Sequence, residues 1–431
     1  MNAPLSFGLK NRLAAEGPIR VGVVGAGAAA RMALRHLLRC STVRVLGIAN
    51  RTPERVVEIL AGAGRPFAMV RSAAELDGAA SRGAIAVATA PAVLCESPAI
   101  EAIVEATGSV EFGAAVTLSA LLNRKHVVLL NAELDATLGP LLKRYADDAG
   151  VVFTHTDGEE PAVALRLVQY LRDLGLHPVA AGNLKGMLDR RRNPDTQRTF
   201  ATTHGLDPGK AASFADGTKL ALEAAVLANA TGFRAGVRGM HGPRCAHIRE
   251  IATLLPAGEM LAGGLVDYAL SAEPSSGAFA IVHEPDPDIR ADLAYFKMGA
   301  GPFHVFCTPY HLPPLQIVAA IHAAVLRHEP TVAPVGPPVC EVAALAKRPL
   351  RAGEVLDGVG GYCCYGAVEN ADTFAQERLL PIGISGGCRL LRDVAVDEVV
   401  RYDDVECPPN RGCDLLRDEQ HRLFAPAFAG V

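Results

Sequence analysis

The sequence predicts an α/β chain that opens on a doubly wound parallel sheet and ends in a β-rich segment. Three observations predict it. From Ile19 to Thr154, continuous apolar runs alternate with amphipathic helical stretches, the pattern of a parallel sheet covered on both faces. The first apolar run passes through a small-residue turn, Gly25-Ala26-Gly27-Ala28-Ala29-Ala30, into a helical stretch. Beyond the proline-rich EPTVAPVGPPVCE, the chain changes to short apolar runs separated by glycines, which read as strands joined by turns.

At 431 residues the chain exceeds one ordinary domain, and two or three are expected. The reading divides it into residues 1–155, a central α+β domain over 156–335, and a β-rich domain over 336–431. Half of the residues are apolar and a fifth are charged, a composition that builds a core. The net charge of −4 leaves no basic surplus for a phosphate backbone, which argues against a nucleic-acid partner. The richest apolar stretch, Ala84 to Leu94, is broken by Pro91 and falls well short of the ~20 residues of a membrane span. The first residues lack a signal peptide's basic start and apolar middle; Leu5, Leu9 and Leu13 instead suggest a short amphipathic helix. The ten cysteines form no CxxC pair, so reduced thiols, a cytoplasmic location and no zinc site are expected.

In chain order, IRVGVVG reads as a buried strand and AAARMALRHLLRC as a helix. VRVLGIAN is the second strand, and Thr52-Pro53 opens TPERVVEILAGAG with an N-cap and a proline at the first helical position. Arg65 to Ser97 fits the rhythm poorly and reads as an irregular crossover. The strand IEAIVEATG, the helix FGAAVTLSALLNRK, the strand HVVLLN, a helix near Leu138–Ala149 and VVFTHT complete the first domain. Then PAVALRLVQYLRDLG is a helix opened by Pro161, and PVAAGNLKG is a strand. SFADGTKLALEAAVLANATG reads as one long helix, apolar on every face from Leu220 to Leu227, and so buried at a domain centre. GVRGMHGPRCAH is a loop.

The Gly25–Ala30 turn has the context of a Rossmann dinucleotide site, a strand before it and a helix after it. Gly25 permits the tight turn, Gly27 the approach of a pyrophosphate to the backbone, and Ala30 close helix–strand packing, while the N–H groups around Ala28 and Ala29 face the phosphates. The second strand ends in Asn50-Arg51 rather than an acid. A planar guanidinium suits a 2′-phosphate, so NADP is expected over NAD. Thr107-Gly108 and Asn131 stand at later strand ends, where α/β sheets bind ligands, and are candidates to line the nicotinamide.

The order EATG, VVLLNAELDATLGPLL, GVVFTHTDGEEPA, AGNLKGMLD, SFADGTKLALEAAVLANATG, GMHGP, YFKMGAGPFHVFCTPYHL and GGYCCYG resembles the homoserine-dehydrogenase-like oxidoreductases that carry a C-terminal SAF (β-clip) domain. This is the DXR-like, or DRL, family. The resemblance runs from about residue 18 to 407. It implies a Rossmann domain, a central catalytic and oligomerisation domain and an SAF domain. It also implies an NAD(P)-dependent reaction, in some members the reduction and isomerisation of 1-deoxy-D-xylulose 5-phosphate, and a homodimer or homotetramer.

Carbonyl reduction needs a positioned proton donor in a water-poor pocket. Lys185 with Asp189 is one candidate pair, by likeness to the lysine–aspartate pair of homoserine dehydrogenases, although the spacing departs from theirs. Asp216, Lys219 and Glu223 form a second constellation. Lys219 and Glu223 are four apart, on one helix face, and Asp216 stands to cap that helix. His241 in GMHGPR is a candidate acid or base, with Arg244 as an anion ligand. Lys297, His311 and the run Arg190–Arg192 rank lower. No clean carboxylate triad is legible, although Asp157, Glu159, Glu160 and Asp216 could contribute; no metal ligand is assigned, and a divalent metal is an option without support. The expected function is hydride transfer to or from a small, polar, anionic hydroxy or keto compound. A homoserine dehydrogenase activity and a non-catalytic NADPH- and sugar-binding sensor are the alternatives.

Overall fold

The computed structural model describes residues 7–428. The expected parallel sheet is present, with seven strands: β1 (Ile19–Val24), β2 (Val43–Ala49), β3 (Phe67–Met69), β4 (Ile85–Ala88), β5 (Ala102–Glu105), β6 (His126–Leu129) and β7 (Phe153–His155). Their order is β3-β4-β2-β1-β5-β6-β7, and every pairing is parallel. The order reverses beside β1, the place where open α/β sheets bind ligands. β1 is buried almost throughout, as its apolar run requires. Its core joins Val21, Val23, Leu34, Ile48 and Val104 with Ile317 and Ile321 of the helix Pro313–His322.

Residues 65–97 are not an irregular crossover. They contain β3, the helix Ala73–Ser81, β4 and the helix Ala92–Glu96, a regular alternation. β3 is a three-residue edge strand with Phe67 and Met69 exposed, and β4 has the small sequence IAVA, so neither leaves a strong apolar signal. Near the N-terminus the helix Phe7–Ala15 buries Leu9; Leu5 lies outside the described residues.

The chain divides into two compact units. The first comprises residues 1–134, 141–158 and 312–333, and the second 135–140, 159–311 and 334–431. The second holds a four-stranded mixed sheet of β8 (Pro178–Lys185), β9 (Leu265–Leu270), β10 (Ala278–His283) and β11 (Phe303–Thr308), in the order β11-β10-β8-β9. Its core includes Ala180, Ile251, Met260, Phe279 and Ile281.

The stretch read as one helix is two, Pro208–Ala215 and Thr218–Thr231. Asp216 ends the first, and Gly217, at φ +91°, turns the chain into the second. Every residue from Leu220 to Ala230 is buried, so this helix is central to the unit, as its all-round apolarity requires.

After the central sheet come two antiparallel pairs, β12 (Cys340–Ala346) with β13 (Cys364–Asn370), and β14 (Arg389–Leu390) with β15 (Val405–Glu406). Tyr365, Phe374, Leu379 and Val399 form their core. The β-rich expectation passed over the helix Gly412–Phe428, whose buried Arg417 pairs with the equally buried Glu341. All ten cysteines are free thiols, and no helix among the described residues is long and apolar enough to cross a membrane.

Candidate functional site

In the first unit the Gly25–Ala30 turn joins β1 to the helix Ala28–Leu37. Gly25 has φ +117°, and a Cβ there would lie 2.7 Å from the carbonyl oxygen of Ala106. A side chain is therefore excluded twice over, by backbone conformation and by contact. Gly27 is exposed, and a Cβ there would meet nothing within 4 Å. The helix start thus presents bare backbone to open space, which fits a pyrophosphate on its N–H groups. Ala26 and Ala30 are buried, Ala28 is half-buried and Ala29 exposed.

Asn50 donates from Nδ2 to the carbonyl of Thr52 at 2.8 Å and so shapes the turn after β2, while Arg51 is exposed. At the end of β5, the fully buried Glu105 accepts from the backbone N–H of Thr107 (2.9 Å), from its hydroxyl, and from Asn131 Nδ2 (2.7 Å). Burial raises the Glu105 carboxyl pKa, which these hydrogen bonds partly offset. Asn131 also caps the helix Ala132–Ala149 through Oδ1 to Leu134 N. Thr107 and Asn131 are thus tied to one buried carboxyl at the C-terminal ends of β5 and β6. An acid closing the apolar run IVE was the signal for Glu105.

The second unit gathers a different group. Glu159 and Glu160 stand at the N-cap and first position of the helix Glu160–Asp173, where the helix dipole favours negative charge. Glu223 projects from the buried helix Thr218–Thr231, with Lys219 one turn before it. One carboxylate oxygen from each of Glu159, Glu160 and Glu223 lies within 4.8 Å of the others. Lys219 Nζ stands 3.4 Å from Glu223 Oε1 and 3.6 Å from Glu159 Oε2. Asn183, in β8, donates from Nδ2 to Glu223 Oε2 at 3.0 Å. His311 Nε2 is 3.2 Å from Glu160 Oε1, and its Nδ1 is 3.2 Å from Ser276 Oγ. Lys185, half-buried at the end of β8, adds its positive field to the same carboxyls.

Carboxyls crowded together out of water resist ionisation. Burial, then the charge of Glu160, pushes Glu223 well above the usual carboxylate range, with Lys219 opposing. Burial and the charge of Glu159 raise Glu160 in the same way. His311 is pushed down by burial, against the pull of Glu223 and Glu159. Burial thus favours the protonated form of Glu223 and Glu160 and the neutral form of the imidazole beside them. The Lys219 ammonium, beside Glu223 and Glu159, supplies compensating positive charge to the cluster.

Other sequence candidates stand elsewhere in the second unit. Asp189 accepts from Arg192 Nε (3.0 Å) and from the N–H of Arg191, in a half-exposed turn. Asp216 is fully buried against Lys347 Nζ at 2.7 Å and accepts from Thr218 N; Lys347 also donates to the carbonyls of Arg192 and Gly361. This buried pair fixes the start of the central helix to the C-terminal strands. His241 Nε2 is 2.7 Å from Glu259 Oε2, and its backbone N–H donates to buried Asp267. Arg244 donates to Ser271 Oγ, and Lys297 is exposed. Arg190 lies over the Tyr365 ring, and Arg191 pairs with Asp397. Asn229 accepts from the N–H groups of Val339 and Cys340. Sequence reasoning assigned Asn183 no role and treated Glu160 only as a conceivable metal ligand. The doubled acid before Pro161 was the available signal.

Residues 158–317, the segment that holds this cluster, match the model of the family described as oxidoreductase DRL, catalytic domain. The resemblance read from the sequence motifs stands over that segment. No curated protein matches the chain. Among solved structures, the chain is similar to a homoserine dehydrogenase from Thiobacillus denitrificans, at 21% identity over 50% of this chain and 49% of that one, with a TM-score of 0.36. It is also similar to a biliverdin reductase from Synechocystis sp. PCC 6803 in complex with biliverdin and NADP+, at 20% identity over 41% and 49%, TM-score 0.28. An oxidoreductase from Agrobacterium radiobacter in complex with NAD+, L-tartaric acid and magnesium matches at 13% identity over 40% and 45%, TM-score 0.28. The chain spans about half the length of these structures.

Proposed function

We propose that the chain is an NAD(P)H-dependent oxidoreductase, with the dinucleotide held at Gly25–Ala30 and the substrate's proton handled by Lys219, Glu223 and Glu160. The observation that carries the reading is the set of three clustered carboxyls with the Lys219 ammonium beside two of them, inside the segment that matches an oxidoreductase catalytic domain. When bound, a reduced nicotinamide supplies hydride. The chain's own part is to bind and orient the carbonyl and to supply or take the proton. Lys219 polarises the substrate oxygen, and Glu223 holds the proton that the oxygen takes up. Asn183 keeps the Glu223 carboxyl in one orientation, and Glu160 with Glu159 sets how firmly that proton is held.

Exposed Arg51, with no acid at the end of β2, supports NADP over NAD. The positive field of Lys185 and Lys219 suits a small anionic hydroxy or keto compound. Within that class, 1-deoxy-D-xylulose 5-phosphate is the first compound to test, on the strength of the family resemblance, and homoserine the second. We assign the carboxyl cluster to proton handling and not to a divalent cation, because Lys219 supplies its compensating charge. We further propose residues 336–431 as an SAF-like module and a homo-oligomer as the working state.

The test is NADPH and NADH oxidation by the full chain against a panel of phosphorylated and carboxylated ketones and aldehydes, with NADPH fluorescence recorded alongside. Turnover on a member of the panel, with NADPH preferred, is the expected result. NADPH binding without turnover on any member would favour the sensor reading.

A further inference from the structure

The proposed reduction consumes one proton from water in each turnover, yet Glu223 is enclosed: its side chain is 5% exposed, against 17% for Glu160 and 28% for His311. Exposure thus rises stepwise along three residues, and polar atoms of neighbouring residues on the line approach one another. Glu160 and Glu223 have carboxylate oxygens within 4.8 Å. Glu160 Oε1 lies 3.2 Å from His311 Nε2, and His311 Nδ1 lies 3.2 Å from the hydroxyl of half-buried Ser276. The imidazole is engaged on both sides, one nitrogen toward the acids and the other toward the hydroxyl of half-buried Ser276.

This placement is built by a backbone crossing remote in sequence. A Cβ on Gly158 would lie 2.5 Å from both the carbonyl carbon and oxygen of Leu312, so only glycine lets these two strands of chain pass so closely. The residues next in line are Glu159-Glu160 on one side and His311 on the other.

We propose that His311 is the proton port of the carboxyl cluster, passing protons between solvent and Glu160 by way of Ser276. The proposal rests on the reading of that cluster as acid–base machinery. For uptake, water gives a proton to the Ser276 oxygen, leaving hydroxide in the solvent, as the serine O–H breaks and its proton forms the Nδ1–H bond. The Nε2–H bond then breaks, and that proton goes to Glu160 Oε1. One proton enters, one reaches the carboxylate, and no electrons are transferred. The imidazole is neutral before and after and has changed tautomer; loss of the Nδ1 proton to water and uptake of one from water at Nε2 restore it, with no net change in protons. A neutral imidazole suits this role because one nitrogen accepts while the other donates. The charged and titratable groups facing it are Glu159, Glu160, Glu223, Lys185 and Lys219.

Two measurements on the full chain test the port. The first is histidine-selective 15N NMR of the wild type and of Glu160→Gln across pH, which needs no substrate. A change in the His311 tautomer and titration, with the other histidines unmoved, is expected; an unchanged His311 overturns the proposal. The second uses a turning-over substrate and His311→Gln, with the NMR spectrum confirming the fold. We expect kcat to fall about 100-fold with KM unchanged, and added imidazole to restore part of it. Wild-type kcat, or a loss that imidazole leaves untouched, overturns the port. If the wild type turns over no substrate, the functional reading fails, and the NMR arm still decides whether His311 and Glu160 share a proton.

Discussion

Asn183 Nδ2 donates to Glu223 Oε2 at 3.0 Å, joining a strand of the mixed sheet to the centre of the buried helix Thr218–Thr231. The acceptor is a carboxyl whose pKa burial and Glu160 push well up. In the unfolded chain that carboxyl ionises near its ordinary value; in the folded chain it keeps its proton to higher pH. The stability this lends is fully present below the unfolded pKa and is lost as pH rises through the folded one. Glu223→Gln is neutral at every pH and still accepts from Asn183. We expect it to raise Tm by a few degrees at about pH 8 and to match the wild type at about pH 4. Thermal unfolding at the two pH values checks this.

The crossing of Gly158 and Leu312 leaves no room for a methyl group. Gly158→Ala should cost about 1–3 kcal/mol, the usual range for overpacking, read as a lower urea midpoint at an unchanged slope. If the methyl is accommodated by moving the two segments apart, the His311 resonances should shift too.

Asp216 and Lys347 are both buried and 2.7 Å apart. Lys347→Met leaves Asp216 a buried charge without its counter-ion and should cost about 3–5 kcal/mol. The double variant Asp216→Leu/Lys347→Met should recover part of that loss. Denaturant unfolding of the two single variants and the double variant gives the coupling.

Arg51 is exposed at the end of β2. Arg51→Ala should weaken NADPH binding about tenfold, roughly 1.4 kcal/mol, and leave NADH binding unchanged. Fluorescence titration of both cofactors reports the difference, and equal weakening of the two would place Arg51 away from the 2′-phosphate.

The first unit was legible because its signals are local. Gly25 stands between a buried strand and a helix, and its φ of +117° is a requirement of that turn alone. The two strands between Arg65 and Ser97 were not legible, since a three-residue edge strand and a run of small residues carry little periodicity. Asp216-Gly217 was read through as helix because apolar helical sequence flanks it on both sides. The cluster was half legible. Lys219 and Glu223 are one turn apart, so helix geometry alone brings them together. Glu160 and His311 meet only through the crossing at Gly158, and Asp216 finds Lys347 only once the C-terminal strands fold back. No periodicity encodes such distant pairings.

The central claim is that Glu223 and Lys219 do acid–base chemistry for a nicotinamide-dependent reduction. It is tested most directly by Glu223→Gln, compared with the wild type for NADPH binding and for single-turnover NADPH oxidation on the best substrate of the panel. The account predicts unchanged NADPH affinity and a rate lower by about 100-fold or more. A Glu223→Gln variant that oxidises NADPH at the wild-type rate would contradict it.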